Sequence, residues 1–256
     1  MTKSNSFSVA RFGKSALLLT SFLAFAACGG NDYSSAEVLP DDPAQEAVDT
    51  NTPVDTPPDN STPTVENPTV ETPLSEQATI LKSYDYVDPN RVINTTALQN
   101  ALLYFDKNKS KFANKNYVSV IDFSKRSTQA RFHIIDMNSG SVWSIHTAHG
   151  KGSDSDHDGY AEKFSNKSGS NASSLGFYRA AETYYGNHGL SLRLDGLSST
   201  NSNARSRAVV IHGASYVKES SSIQGRSWGC PAVTMSYRDK VVKALKGGSL
   251  IYAYAK

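Results

Sequence analysis

The chain has 256 residues, 38% of them hydrophobic, with 26 basic and 24 acidic side chains nearly in balance. That length allows one sizeable hydrophobic core, and two cysteines leave room for at most one internal disulfide. The first predicted element places Lys3, Arg11 and Lys14 around and before an apolar run from Ala16 to Ala27, interrupted by Thr20 and Ser21. The run is too short to cross a bilayer as a helix and has the length of a signal-peptide core, which predicts export.

The run ends Phe-Ala-Ala-Cys-Gly, which resembles the lipobox of bacterial lipoproteins. The resemblance implies cleavage after residue 27, lipidation of Cys28 and, with Gly29 in place of Asp, anchoring in the outer membrane facing the periplasm. Phe25 departs from the usual aliphatic residue, and a plain signal peptide cut after Ala27 is the competing reading. Residues 31–80 then hold eleven Asp and Glu, no Lys or Arg, and eight of the ten prolines. Such a stretch buries too little apolar surface to fold, so residues 28–80 read as an extended acidic tether.

Residues 81–256 are one domain's worth of chain. With the leader and tether set aside they carry 23 basic and 13 acidic residues, a net of +10. For an exported protein that charge suits an anionic wall polymer or lipid headgroups better than nucleic acid. Asn94 or Thr95 caps a predicted helix to about Ser110, with Leu98, Leu102 and Phe105 near helical spacing. Strand-like runs follow at Val118–Phe123, Ala130–Met137, Ser141–Ala148, Leu190–Leu194, Ala208–His212 and Leu250–Tyr254. Met137–Gly140 is a hairpin signal between the second and third, and Tyr237–Lys246 reads as a helix ended by Gly247. A mainly β pattern with a few helices and no βαβ alternation predicts an antiparallel sandwich or barrel-like domain.

If Cys28 carries lipid, Cys230 is a lone thiol, held in a constrained turn between Gly229 and Pro231. That context suits a reactive thiol better than a packed one. A thiol needs a base to become a nucleophile, and His212 ends the buried-looking run RAVVIHG eighteen residues upstream. Gly225 and Gly229 let backbone N–H groups turn toward a developing oxyanion. Arg226 is placed to lower the thiol pKa or to hold a carboxylate.

His-Gly followed by Ser-x-Gly-Cys resembles the signature of the L,D-transpeptidase (YkuD-type) catalytic domain, in its divergent murein branch. The phrases TAHGKGSD (147–154), KFSN (163–166), SSLGFY (173–178), GNHGLSLRLDGL (186–197), RAVVIHGASYV (207–217), GRSWGCPAV (225–233) and GGSLIYAY (247–254) carry the likeness. It implies a YkuD-like β-sandwich or barrel that acts on peptidoglycan stem peptides without a cofactor, through a thioester on Cys230. It also implies His212 as the base and an oxyanion hole from backbone N–H groups of Trp228, Gly229 and Cys230. By the same likeness Arg226, Ser227, His149 and His188 are substrate-binding candidates. The better-known branch has His and Arg where this chain has Trp228 and Ala232. No residue stands out as the partner of the second ring nitrogen of His212. An L,D-carboxypeptidase or endopeptidase with water as acceptor shares every motif, and a non-catalytic wall-binding lipoprotein is the reading from another class.

One motif lies outside that set. Asp154-Ser-Asp156-His-Asp158-Gly159 follows the first half of a calcium loop, and the twelfth position, where such a loop has Glu, is Ser165. Asp154, Asp156 and Asp158 are therefore candidate ligands for a structural calcium ion.

Overall fold

The computed structural model describes residues 75–256. The expected signal segment, Cys28 and the tether through residue 74 lie outside the described residues. Helix α1 (Glu76–Lys82) opens them, capped by the Ser75 hydroxyl, which accepts from the Ala78 N–H. The tether was expected to run to residue 80, and its last residues are instead helical. The Ser75 cap and the packing of Ile80 and Leu81 on the core under the next helix account for that boundary.

Helix α2 (Thr95–Lys107) is capped by Asn94, whose side chain accepts from the Ala97 N–H. It buries Ala97, Ala101, Leu102 and Phe105. The strands are β1 (Tyr117–Asp122), β2 (Phe132–Asp136), β3 (Val142–Ile145), β4 (Gly176–Gly186), β5 (Gly189–Gly196), β6 (Val210–Ala214), β7 (Ala232–Thr234) and β8 (Leu250–Tyr254). Helix α3 (Met235–Leu245) precedes β8; it starts two residues before the predicted position because the Thr234 hydroxyl accepts from the Tyr237 N–H.

All eight strands form one sheet in the order β3-β2-β1-β8-β4-β5-β6-β7. The β1–β8 and β6–β7 pairs are parallel and the others antiparallel. Alternation along the strands divides the core. Val118, Val120 and Leu250 pack with α2, whereas Ile121, Ile134 and Ile251 share a cluster with Val241, Val242 and Leu245 of α3. With both faces covered, the central strands read as nearly continuous apolar runs, and each fully buried Ile or Phe contributes about 1.5–3 kcal/mol.

The sheet curls until its ends meet. Beyond β3 the Ala148 N–H donates to the Ala232 carbonyl on β7 at 2.9 Å, and the Thr147 hydroxyl donates to the same oxygen at 2.8 Å. The architecture is a mostly β, nearly closed barrel-like sheet with few helices. β4, the longest strand, was not predicted: its register shifts between Ala180 and Thr183, and Arg179 and Glu182 interrupt the alternation that would announce it.

Candidate active site

His212 lies on β6 opposite Ala232 of β7, so the pairing brings Cys230, two residues before Ala232, alongside the histidine strand. The imidazole is buried, and its Nδ1–H donates to the Gly213 carbonyl at 3.1 Å. This fixes the tautomer and leaves Nε2 as the basic nitrogen. The group orienting His212 is therefore the backbone of its own neighbour. Burial pushes the His212 pKa down, the Gly213 carbonyl opposes that, and His188 lowers it further.

His188 sits in the two-residue loop of the β4–β5 hairpin, and its exposed ring stacks on His212 with centroids 4.3 Å apart. Cys230 is half-buried, and its thiol donates to the Ala208 carbonyl at 3.7 Å. Burial pushes the thiol pKa up, against a hydrogen bond from the Val210 amide and the positive charge of Arg207. Both shifts favour the neutral forms, thiol and imidazole.

The turn around Cys230 is closed from within. The Ser227 hydroxyl donates to the Cys230 carbonyl at 2.7 Å and accepts from the Gly229 N–H at 3.0 Å. Two expectations change as a result. Ser227 staples the turn rather than facing a substrate, and the Gly229 amide is engaged, which leaves the amides of Trp228 and Cys230 for an oxyanion. Gly229 is required for another reason: its φ is +117°, and a Cβ there would stand 2.6 Å from the Ala172 carbonyl oxygen.

His149 is only 1% exposed and does not line a cleft. Arg131, a pure donor, bonds its Nδ1 at 2.8 Å, so Nε2 carries the proton and donates to Asp154 at 2.9 Å. Burial first, then Arg131, drives the His149 pKa down to about 4. Arg131 is itself fully buried and is lowered to about 9 by that burial, with Asp122 and Asp154 opposing. The backbone of His149 accepts the Ser227 N–H at 2.8 Å, and the Lys151 N–H donates to the Ser227 carbonyl at 2.8 Å. His149 thus supports the cysteine turn from beneath.

The Arg226 Nη1 donates to the carbonyls of Asp154 and Ser155, which ties that side chain to the neighbouring loop. The expected charge beside the thiol comes instead from Arg207, which sequence reasoning missed. Its Nη1 donates to Ser165 and its Nη2 to Ala172, both at 2.6 Å to carbonyl oxygens. A Cβ on Gly229 would stand 3.3 Å from that Nη2. Arg207 opens the phrase RAVVIHG, which drew notice only for its histidine.

Asp154, Asp156 and Asp158 converge, with ligand atoms within 4.8 Å of one another. The Asp154 carboxylate already accepts the Asp158 and Gly159 amides at 3.1 Å each, besides His149. Burial pushes its pKa up, but these bonds hold it below the usual carboxylate value. The protein's own donors therefore shape this turn. At the mouth of the site Trp228 is 73% exposed, and the Lys151 Nζ lies 5.8 Å from its ring centroid.

The site thus combines a strand-borne histidine oriented by backbone with a half-buried thiol in a glycine-bound turn, on a curled sheet. A model of the L,D-transpeptidase catalytic domain family matches residues 89–254, and the chain belongs to that family. No curated protein matches the sequence. Among solved structures, an L,D-transpeptidase from Mycobacterium smegmatis is similar with a TM-score of 0.36 and 14% identity, covering 55% of this chain and 59% of that one. The L,D-transpeptidase LdtMt1, solved in complex with imipenem, gives 0.35 and 14%, over 54% and 59%. Bd1075 of Bdellovibrio bacteriovorus gives 0.35 and 14%, over 56% and 48%. The chain thus spans only about half to three-fifths of these structures.

Proposed function

We propose that this domain is a cysteine acyltransferase that remodels peptidoglycan stem peptides. The observation that supports the reading is the β6–β7 pairing, in which Cys230 precedes by two residues the Ala232 that faces His212, while Gly213 holds Nδ1 and leaves Nε2 basic. The thiol turns from the Ala208 carbonyl to the imidazole, and its proton passes to Nε2. The sulfur attacks the carbonyl carbon on the L-centre side of the scissile bond. The oxyanion is held by the amides of Trp228 and Cys230. The carbon–nitrogen bond breaks, and the departing amine of the D-residue takes the proton from His212. A second amine, or water, then gives a proton to His212 and attacks the thioester. This yields a new peptide bond or a free acid and returns the thiol. The neutral forms of both groups fit this order, because an uncharged imidazole is ready to accept a proton.

An exported form anchored through Cys28 would hold the domain at the wall, and its excess positive charge suits an anionic polymer. Incubating the purified protein with tetrapeptide muropeptides, with Cys230→Ala as control, tests the proposal by intact-protein and product mass. The expected result is a thioester adduct and a shortened or cross-linked product, both absent in the variant. Joining and trimming separate by product mass. Wall binding with neither adduct nor product would replace the reading with a binding module.

A further inference from the structure

A cavity of about 570 Å³ opens between α3 and the β1–β3 end of the sheet, and none of its lining residues belongs to the cysteine turn or to β6. Lys240 and Lys243 line it from one side of α3, three residues apart, while Val241, Val242 and Leu245 of that helix are buried. Both lysines are exposed, and among the described residues neither is in a salt bridge. The Lys240 Nζ lies 3.9 Å from the centroid of the Trp143 ring, and Tyr237 meets the same indole at 73° with centroids 5.1 Å apart. An ammonium braced on an aromatic ring keeps its direction while its donors stay available. Opposite the lysines, the Met137–Gly140 turn sets Asp136 and Ser141 side by side, joined by the Asp136 N–H to the Ser141 carbonyl at 3.0 Å. The Asp136 Oδ1 accepts the Asn138 N–H at 2.9 Å, which leaves Oδ2 for a further donor.

We infer that this cavity binds a saccharide that carries a carboxylate. Each part of the lining answers one part of such a ligand. The two ammoniums pair with the carboxylate, and Asp136 with the hydroxyls of Tyr117 and Ser141 bonds the sugar hydroxyls. Trp143 supplies an apolar wall for the C–H groups of the ring. The volume is that of a small-ligand site, and apolar surface with a few convergent polar groups is the usual composition of one. A doubly charged phosphate suits the cavity less, because the Asp136 carboxylate repels it. An uncharged sugar would leave the like-charged lysine pair without a counter-charge. The inference rests on this cavity alone and requires neither Cys230 nor the acyl-transfer reading.

The chain has two tryptophans, so two indole N–H signals are expected by NMR, and Trp143→Phe identifies the one from the cavity. That signal is followed in the purified protein during titration with three probes. They are N-acetylmuramic acid, N-acetylglucosamine, which lacks the carboxylate-bearing ether, and inorganic phosphate. The acidic sugar should move the signal and bind about tenfold more tightly than the neutral one, as for one charge-assisted hydrogen bond. The double variant Lys240→Gln, Lys243→Gln should remove that preference, and the corresponding double change to Arg should restore most of it. Both positions are exposed, so neither variant should disturb the fold. Asp136→Asn should weaken both sugars alike, since their hydroxyls are shared. Equal affinity for the two sugars in the wild type, or a preference that survives in the Gln variant, would overturn the inference. Phosphate binding as tightly as the acidic sugar would replace the saccharide with a phosphate ligand. A Trp143 signal that no probe moves would remove the site altogether. Because the readout is binding at Trp143, each of these outcomes leaves the acyl-transfer reading untouched.

Discussion

On one flank of Cys230 the segment from His149 to Gly159 is held by buried polar groups. Arg131, His149 and Asp154 form a continuous chain of hydrogen bonds, and Arg226 ties the cysteine turn to the Asp154 carbonyl. On the other flank the β4–β5 hairpin presents His188, an exposed ring that meets His212 by stacking. The first arrangement is costly to disturb, because each member left unpaired would be a buried polar or charged group. The second adjusts the surroundings of the base from the surface. The geometry of the Cys230 turn and the protonation of His212 are thus set by different parts of the fold and should separate experimentally.

The largest effect expected from attacking the clamped flank comes from Asp154→Ala. It leaves the His149 N–H and two loop amides without an acceptor and removes a carboxylate that balances the fully buried Arg131. Breaking such a network by one partner costs about 3–5 kcal/mol, to be read from the urea midpoint. Gly229→Ala should cost less, about 1–3 kcal/mol for a strained backbone, since its φ is +117° and the new Cβ meets the Ala172 carbonyl. Its clearer signature is slower alkylation of Cys230, because the turn must shift to admit the methyl. An alkylation rate equal to that of the wild type would show that the turn does not position the thiol.

A subtler measurement reads the same flank through pH. His149 has a pKa of about 4 in the folded protein, against 6.5 for a free imidazole, so the unfolded chain binds its proton first. The stability it contributes is complete above pH 6.5 and declines as pH falls toward about 4. His149→Gln keeps an acceptor for Arg131 and a donor for Asp154 but cannot titrate. The melting temperature of that variant should fall less steeply over this window. Some slope should remain from His133, which burial also lowers to about 4.

How far the site was legible follows from what kind of group does each job. Cys230 and His212 stood out by type and context, and the hairpin at Met137–Gly140 and the Asn94 cap were local signals that packing left intact. The partner of His212 was invisible because it is a carbonyl, which every residue possesses. Arg226 stood out because it lies four residues before Cys230, whereas Arg207 lies twenty-three residues before it. Only the fold shows that one reaches the Asp154 loop and the other the backbone behind Gly229. His149 was misplaced because the residue that satisfies it, Arg131, lies eighteen positions away, immediately before the neighbouring strand β2.

The smallest expected effect belongs to the surface flank. His188→Ala removes an exposed ring, so the urea midpoint should not move measurably. The imidazole beneath should respond. His188 both shields His212 from water and lowers its pKa by proximity. Removing it therefore raises the His212 pKa on both counts, and the proton is retained to higher pH. An NMR titration of the His212 ring reads this directly, with a midpoint in His188→Ala above that of the wild type. In turnover the acid limb of the kcat/KM profile should move to higher pH in the same sense. An unmoved midpoint would mean that Gly213 and the burial of β6 alone set the base. The hairpin would then have no part in tuning it, and the contrast between the two flanks would reduce to one between a structural network and a loop.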